Sequence, residues 1–586
     1  MKNKIISVIE IILILMCLCI QKIVNFTNID LYLLLLLIIV LYAYTSSKKC
    51  DNNVRVFALI FSLLFSIGNL NVNTFGINHV IIVLIEIIGW YFLLQKVFVA
   101  IKYFSDNYVV TSKEKNKEIK PYIFIGISMV IGFVLLLPYF IKCYPAVMTN
   151  DSFRQIWQVT GYVGYSNHHP WIHTLILKLF YNIGYGLTHK PNVGVATYII
   201  FQMITACFTF SYVTYVLYRN NINKFLVGLI WLFFFLFPFN GIYAVTLWKD
   251  VIFSYIVLLF SVIIWDHYHN KKDWTIKSQI VFIILSFLIC LLRSNGLIAY
   301  FMFIIIMILF YRKELFRLKY AFLAVLILVF GMKWIVMPIY KVQGADFIES
   351  LSIPAQQIAY VIKEDGDISK KEYKELSKVV DIDRIKEEGK DKQNLIISDP
   401  VKHNVRENDL DHYLDNNKGK FLKLWINIGL NNKEEYIKAY VKQTNGYWFH
   451  NYGKYWVYKT SLYTTFNKED KPLDLYQPQK APKIISEGID KLLDLTSKVY
   501  YKTWSPAASL YAVLIGLFIT INKKRNVLPY VLCISLVITL MIATPVSCEF
   551  RYAYPLFITF PALLIVPLTQ ETNSTKKNKK SKSSVK

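Results

Sequence analysis

Asp151 stands a few residues beyond the apolar stretch Tyr122–Ile141, in the string Tyr144-Pro145-Ala146-Val147-Met148-Thr149-Asn150-Asp151-Ser152. The run Asn167-His168-His169-Pro170-Trp171 then brings two imidazoles, and His173 follows His169 by one helical turn. Three more charged strings flank apolar runs: Trp248-Lys249-Asp250, Leu292-Arg293-Ser294-Asn295-Gly296 and Glu549-Phe550-Arg551-Tyr552. Charges beside hydrocarbon are costly, and those kept there face a cavity, pair with one another or mark a substrate path. A carboxylate can take a proton from a hydroxyl. Guanidinium and ammonium groups can hold an anion and stabilise charge that builds on it. These residue types therefore point to proton abstraction beside a bound anion, at a membrane surface.

Each residue also has a plainer reading. Asp151 could cap a helix starting at Ser152, where its charge would suit the helix N-terminus. Asp151, His169 and His173 are the metal-ligand candidates, although Pro170 interrupts the spacing of the histidines. Lys249 and Asp250 could simply pair, and Arg293 and Arg551 could be interfacial residues with snorkelling side chains. The aromatic run Tyr447-Trp448-Phe449-His450-Asn451-Tyr452, with Tyr455, Trp456 and Tyr458, reads as a sugar-stacking platform or an interfacial belt.

The elements that must position these groups follow from composition. The chain has 586 residues, of which 55% are hydrophobic, and its apolar runs are continuous rather than alternating. Continuous runs of roughly 16–25 residues suit transmembrane helices and not a barrel. The expected fold is an all-α polytopic membrane protein of about fourteen spans. These lie near 5–24, 29–46, 55–72, 78–100, 122–141, 193–217, 224–240, 250–266, 277–292, 296–311, 320–339, 506–522, 527–544 and 553–568. The net charge of +26 sits in short loops between runs and in the tail Lys576–Lys586. That distribution is a topology signal and argues against nucleic acid as a partner; anionic lipids fit it better. The cationic loops set the cytoplasmic side, with both termini cytoplasmic in a multi-pass cell-membrane protein. His173–Leu187 is apolar, but counting it as a span would invert every later cationic loop, so it reads as a helix lying at the outer surface.

The division that results has an N-terminal region 1–121 of about four spans and a transmembrane core 122–340. The first long external loop, 142–192, belongs to that core. A mainly helical extracytoplasmic domain occupies 341–505, about 165 residues, enough for a domain of its own. About three more spans follow in 506–568, then a Lys-rich cytoplasmic tail, 569–586. The eight cysteines are scattered and form no CxxC pair, which argues against a zinc knuckle or disulfide framework. No nucleotide-binding glycine fingerprint occurs.

The strings Tyr144-Pro145, Asn150-Asp151, Tyr165-Ser166-Asn167-His168-His169-Pro170, Leu247-Trp248-Lys249-Asp250, Leu292-Arg293-Ser294-Asn295-Gly296 and Glu549-Phe550-Arg551-Tyr552 resemble those of a bacterial membrane-protein family, DUF6020, from about residue 120 onward. That family is similar in plan to the GT-C glycosyltransferases, such as protein mannosyltransferases and aminoarabinose transferases. The resemblance implies a polyprenyl-phosphate-sugar donor, an acidic residue in the first external loop and an envelope glycan, lipid or protein as acceptor. It makes 122–340 a GT-C-like core and Asp151 the catalytic base. His168, His169, Lys249, Asp250, Arg293, Asn295, Glu549 and Arg551 become the substrate-binding set, with a divalent metal ion left open. Many GT-C enzymes pair two acidic residues in this loop, whereas here Asn150 precedes a single Asp. A transporter or flippase of lipid-linked or anionic substrates, a polysaccharide polymerase or ligase, and a non-catalytic assembly protein are the other classes open to this sequence.

Overall fold

The computed structural model describes residues 9–17, 28–68, 77–112, 114–388, 397–409, 412–449, 475, 481–503 and 505–570. Among these residues every regular element is a helix, and extended backbone pairs only in isolated bridges. Helices form on the apolar runs, and local chemistry sets their ends. Pro121, Pro191 and Pro506 open three of them, where a missing N–H costs nothing. Thr275 Oγ1 and Ser505 Oγ each accept an amide N–H from the next turn at 3.3 Å. Pro238 breaks the run expected to span 224–240, so that Lys224–Leu236 and Pro238–Ala244 meet at 50°.

The span count departs from expectation. Among the described residues six helices are long and apolar enough to cross a bilayer: Ile81–Asn107, Pro121–Cys143, Pro191–Arg219, Lys249–His269, Lys319–Ile339 and Phe550–Leu568. The bent pair brings the number to seven at most, so about fourteen spans are not supported. Other runs do become helices, among them Asn52–Gly68, Ile276–Leu292, Ser294–Phe310, Pro506–Asn522 and Leu528–Ala543, but these apolar helices have only 10–17 residues. At about 1.5 Å per residue they reach roughly 25 Å, short of the roughly 30 Å hydrocarbon core. Polar breaks cut them. Arg293, for instance, takes an extended backbone (φ −152°, ψ 136°) between two of them. The run 5–24 is described only at residues 9–17, and the tail Lys576–Lys586 lies outside the described residues.

Lys249–His269 is the central helix: 89% of its apolar window is buried, against 22% for Pro121–Cys143 and Lys319–Ile339. It is apolar all round, as an interior helix must be. Around it the polar connections collect at two ends. At one end the Val110 N–H donates to Leu568 O at 3.1 Å and the Ser112 N–H to Asn221 O at 2.9 Å. Asp266 there holds Arg219 and Lys272, and Arg525 Nη1 lies 3.1 Å from Thr569 Oγ1. At the other end Val147 pairs with Val245 and Leu247 at 2.9 Å each, and Gln343 pairs with Tyr165 and Asn167. Tyr447 O–H donates to Val546 O at 2.8 Å. The cationic loops thus share one end and the charged strings the other.

Within 341–505, an apolar core separate from the main one gathers Ile348, Leu351, Ile358, Val361, Val379, Val405, Phe421 and Ile428. It is built around helix Ser352–Lys363 by the helices up to Lys433–Thr444. Tyr447, Trp448, Phe449 and Tyr500 instead join the core of the apolar helices. The three aromatics at 447–449 are buried, so they form no open stacking platform. The rest of that aromatic run lies outside the described residues. His173–Leu187 forms helix Trp171–Thr188, which packs along Pro191–Arg219 with Gly184 against Val193 and Thr197.

Candidate functional site

The site is assembled where the first long loop meets the ends of Lys249–His269 and Phe550–Ile565. The Thr149 N–H donates to Ser152 Oγ at 3.1 Å, Trp248 Nε1–H donates to Thr149 Oγ1 at 2.8 Å, and Ser152 Oγ–H donates to Leu247 O at 2.7 Å. Helix Asn150–Val159 therefore starts one residue before Asp151, and Thr149, not Asp151, occupies the cap. The Asp151 carboxylate is freed from capping. It remains in the first turn, where the helix N-terminus favours a negative charge.

Arg551 Nη1 lies 2.9 Å and Lys249 Nζ 3.4 Å from the same Asp151 oxygen. The Asp151 side chain stays 30% exposed while each cation is 16% exposed, so the carboxylate is the accessible member of the trio. Burial alone would raise the Asp151 pKa. The charge of Arg551, then that of Lys249, outweighs it and holds the carboxyl well below the usual carboxylate range. Lys249 Nζ also lies 3.2 Å from His169 Nδ1. An ammonium only donates, so Nδ1 accepts and the His169 proton sits on Nε2. Burial first, and Lys249 second, keep this imidazole neutral. Its Nε2 is buried with no partner among the described residues.

A second pair stands beside the first. Arg293 Nε is 2.9 Å from Asp250 Oδ1, and both side chains are almost fully buried. The ring of Tyr552 joins the pairs: the Arg293 guanidinium lies 4.6 Å and that of Arg551 5.1 Å from its centroid, and Arg551 also lies 5.2 Å from the Trp248 ring. Glu549 Oε1 is 3.5 Å from Arg551 Nε. Burial first, then the charge of Lys249, lowers the pKa of His168, and Arg406 from helix Asp399–Asn408 adds to the fall. Trp248 and Tyr552 were visible in the sequence only as neighbours of the charged residues. Nothing in a single chain marks an aromatic ring as the shelf that orients two arginines.

One expected member falls away and another is held from the side. Asn295 Nδ2 donates to Thr539 Oγ1 at 3.0 Å, while its Oδ1 is buried without a hydrogen-bond partner among the described residues. His173 is fully buried, with Nδ1 3.0 Å from Gln155 Oε1 and Nε2 2.7 Å from the Tyr198 hydroxyl. The metal set Asp151, His169 and His173 does not form: among the described residues no group of three or more His, Cys, Asp or Glu side chains converges on one point. Lys249 occupies the place between Asp151 and His169 that a cation would take. His173 is instead a packing residue. Replacing it with phenylalanine removes the partner of Gln155 Oε1 and one of the two partners of the Tyr198 hydroxyl, which keeps Gln202 at 3.2 Å, and is expected to cost about 1–3 kcal/mol. Thermal unfolding in detergent checks this, with activity per folded molecule expected to hold.

Fold and site define an all-helical protein with several helices long and apolar enough to cross a membrane and a charged cluster at one end. The chain belongs to the DUF6020 family, described as a family of unknown function, which matches residues 159–582. The match begins after Asp151, so that residue and the Tyr144-Pro145 string stand outside it, although the resemblance was expected from about residue 120. Searches among curated proteins and among solved structures return no match.

Proposed function

We propose that this protein is a membrane glycosyltransferase of GT-C plan, moving a sugar from a polyprenyl-phosphate donor to an envelope glycan, lipid or protein on the outer face. The observation that carries this reading is the shared grip of Arg551 and Lys249 on the partly exposed carboxylate of Asp151. A donor phosphate offers both cations a stronger partner than one carboxylate does, because guanidinium binds phosphate through a bidentate fork. As the cations swing to the phosphate, Asp151 loses the charges that depress its pKa. It then becomes a competent base for the acceptor hydroxyl. The same cations stabilise the charge that builds on the leaving lipid phosphate. His169 Nε2–H, buried without an acceptor among the described residues, is the donor this reading assigns to the sugar or the phosphate. Atoms balance in one displacement: the acceptor oxygen bonds the anomeric carbon, its proton passes to Asp151, and the lipid phosphate leaves.

In this reading both termini and the cationic end are cytoplasmic. The test is mass spectrometry of envelope glycans and glycolipids from cells with and without the gene. A glycoform absent from the deletion strain and restored by the gene is expected; identical profiles would count against transfer.

One feature favours a transporter or flippase, the span broken at Phe237-Pro238. Its break is closed on itself, however. Asn240 Nδ2 donates to Phe233 O at 2.9 Å and to Phe234 O at 3.2 Å, and the Tyr554 hydroxyl donates to Asn240 Oδ1 at 3.1 Å. The freed backbone groups therefore line no substrate path.

A further inference from the structure

At the end opposite Asp151, a cavity of about 150 Å³ opens between the tips of four helices. Trp265, Tyr268, His269 and Lys271 line it from the end of Lys249–His269, and Lys524, Arg525 and Tyr530 from the turn after Pro506–Asn522 and the helix beyond. Among the described residues its lining holds three cations and no carboxylate. Asp266, near the same helix tip, is already held by Arg219 and Lys272. Arg525 is fixed by Thr569, and Trp265 stacks on His269 at 4.9 Å, so the walls are ordered.

We propose that this cavity is a binding site for the phosphate headgroup of an anionic membrane lipid. Two observations point to a ligand from the bilayer rather than from solution. Lys271 and Lys524 each follow the end of a helix, in the left-handed backbone that commonly closes one (φ 48° and 52°), and both line the cavity. Cations do complement the negative ends of helices, but that interaction requires neither a cavity nor aromatic walls. Second, large apolar side chains stand exposed at this end: Phe225 at 71%, Phe310 at 72%, Phe316 at 68% and Tyr320 at 70%. Such a belt marks the headgroup level of a bilayer, so the cavity opens where lipid phosphates lie.

The test is native mass spectrometry of the full chain in detergent, incubated with phosphatidylglycerol, phosphatidylcholine or inorganic phosphate. The wild-type chain is expected to retain phosphatidylglycerol over phosphatidylcholine, and the Lys271→Gln/Lys524→Gln variant to lose that retention by roughly 10- to 30-fold. Equal retention by variant and wild type, equal retention of both lipids, or capture of inorganic phosphate in place of lipid overturns the proposal. If the double variant is not recovered folded, Lys524→Gln alone is expected to weaken retention several-fold, and an unchanged value overturns the proposal equally.

Discussion

Asp151→Asn is expected to lower the rate of sugar transfer by about 10²–10⁴-fold, the contribution typical of a positioned general base. The substitution keeps the shape of the side chain and its place in the first turn of Asn150–Val159. It removes only the charge and the proton-accepting ability. Arg551 and Lys249, which now share the carboxylate at 2.9 and 3.4 Å, would be released to the donor phosphate. The fall should therefore appear in kcat while KM for the donor stays level or drops. Steady-state kinetics on protein in proteoliposomes make the check. A variant with full kcat would reduce Asp151 to a charge partner of the two cations.

Arg551→Gln carries the second large effect, and it has two parts. Losing a charge-assisted contact of about 1.5–3 kcal/mol should raise the donor KM roughly 10- to 100-fold. The second part is a pH shift. Arg551 is the largest influence opposing burial at Asp151, so its loss raises the Asp151 pKa, with Glu549 and Asp250 nearby and negative. A base works in its deprotonated form, so activity is lost as pH falls through that pKa. In the wild type the acid limb of kcat/KM should lie well below the ordinary carboxylate range; in the variant it should move to higher pH. An unmoved limb together with an unchanged KM would make Arg551 an interfacial arginine of no catalytic consequence.

Part of this site was legible in the sequence, because its charged residues stand at the ends of apolar runs, and Asp151, Lys249, Arg293 and Arg551 do share an end. The parity that put them there was counted over about fourteen spans, a number the helices do not support. Pairing at that end was less legible. Lys249 and Asp250 are neighbours in the chain, yet each bonds elsewhere, Lys249 to Asp151 and Asp250 to Arg293. Successive residues on a helix diverge by about 100°, so adjacency predicted the wrong partner. The plainer reading of Asp151 as a cap gives way because Thr149, as good a cap, takes that position through its box with Ser152 and its contact with Trp248. His173 shows the limit of spacing arguments: one helical turn from His169 in sequence, it is claimed by Gln155 and Tyr198. The span count departs for another reason: runs such as 277–292 and 296–311 form helices where expected, but of only 10–17 residues, too short to cross the hydrocarbon core.

The most direct measurement follows the fate of the lipid carrier. Purified protein is reconstituted in proteoliposomes with a lipid extract of the native membrane and an envelope extract as acceptor, and polyprenyl phosphate is quantified by mass spectrometry. Release of free polyprenyl phosphate in step with a glycosylated acceptor, absent with Asp151→Asn, is the predicted result. Movement of intact donor across the bilayer with no polyprenyl phosphate released would contradict it.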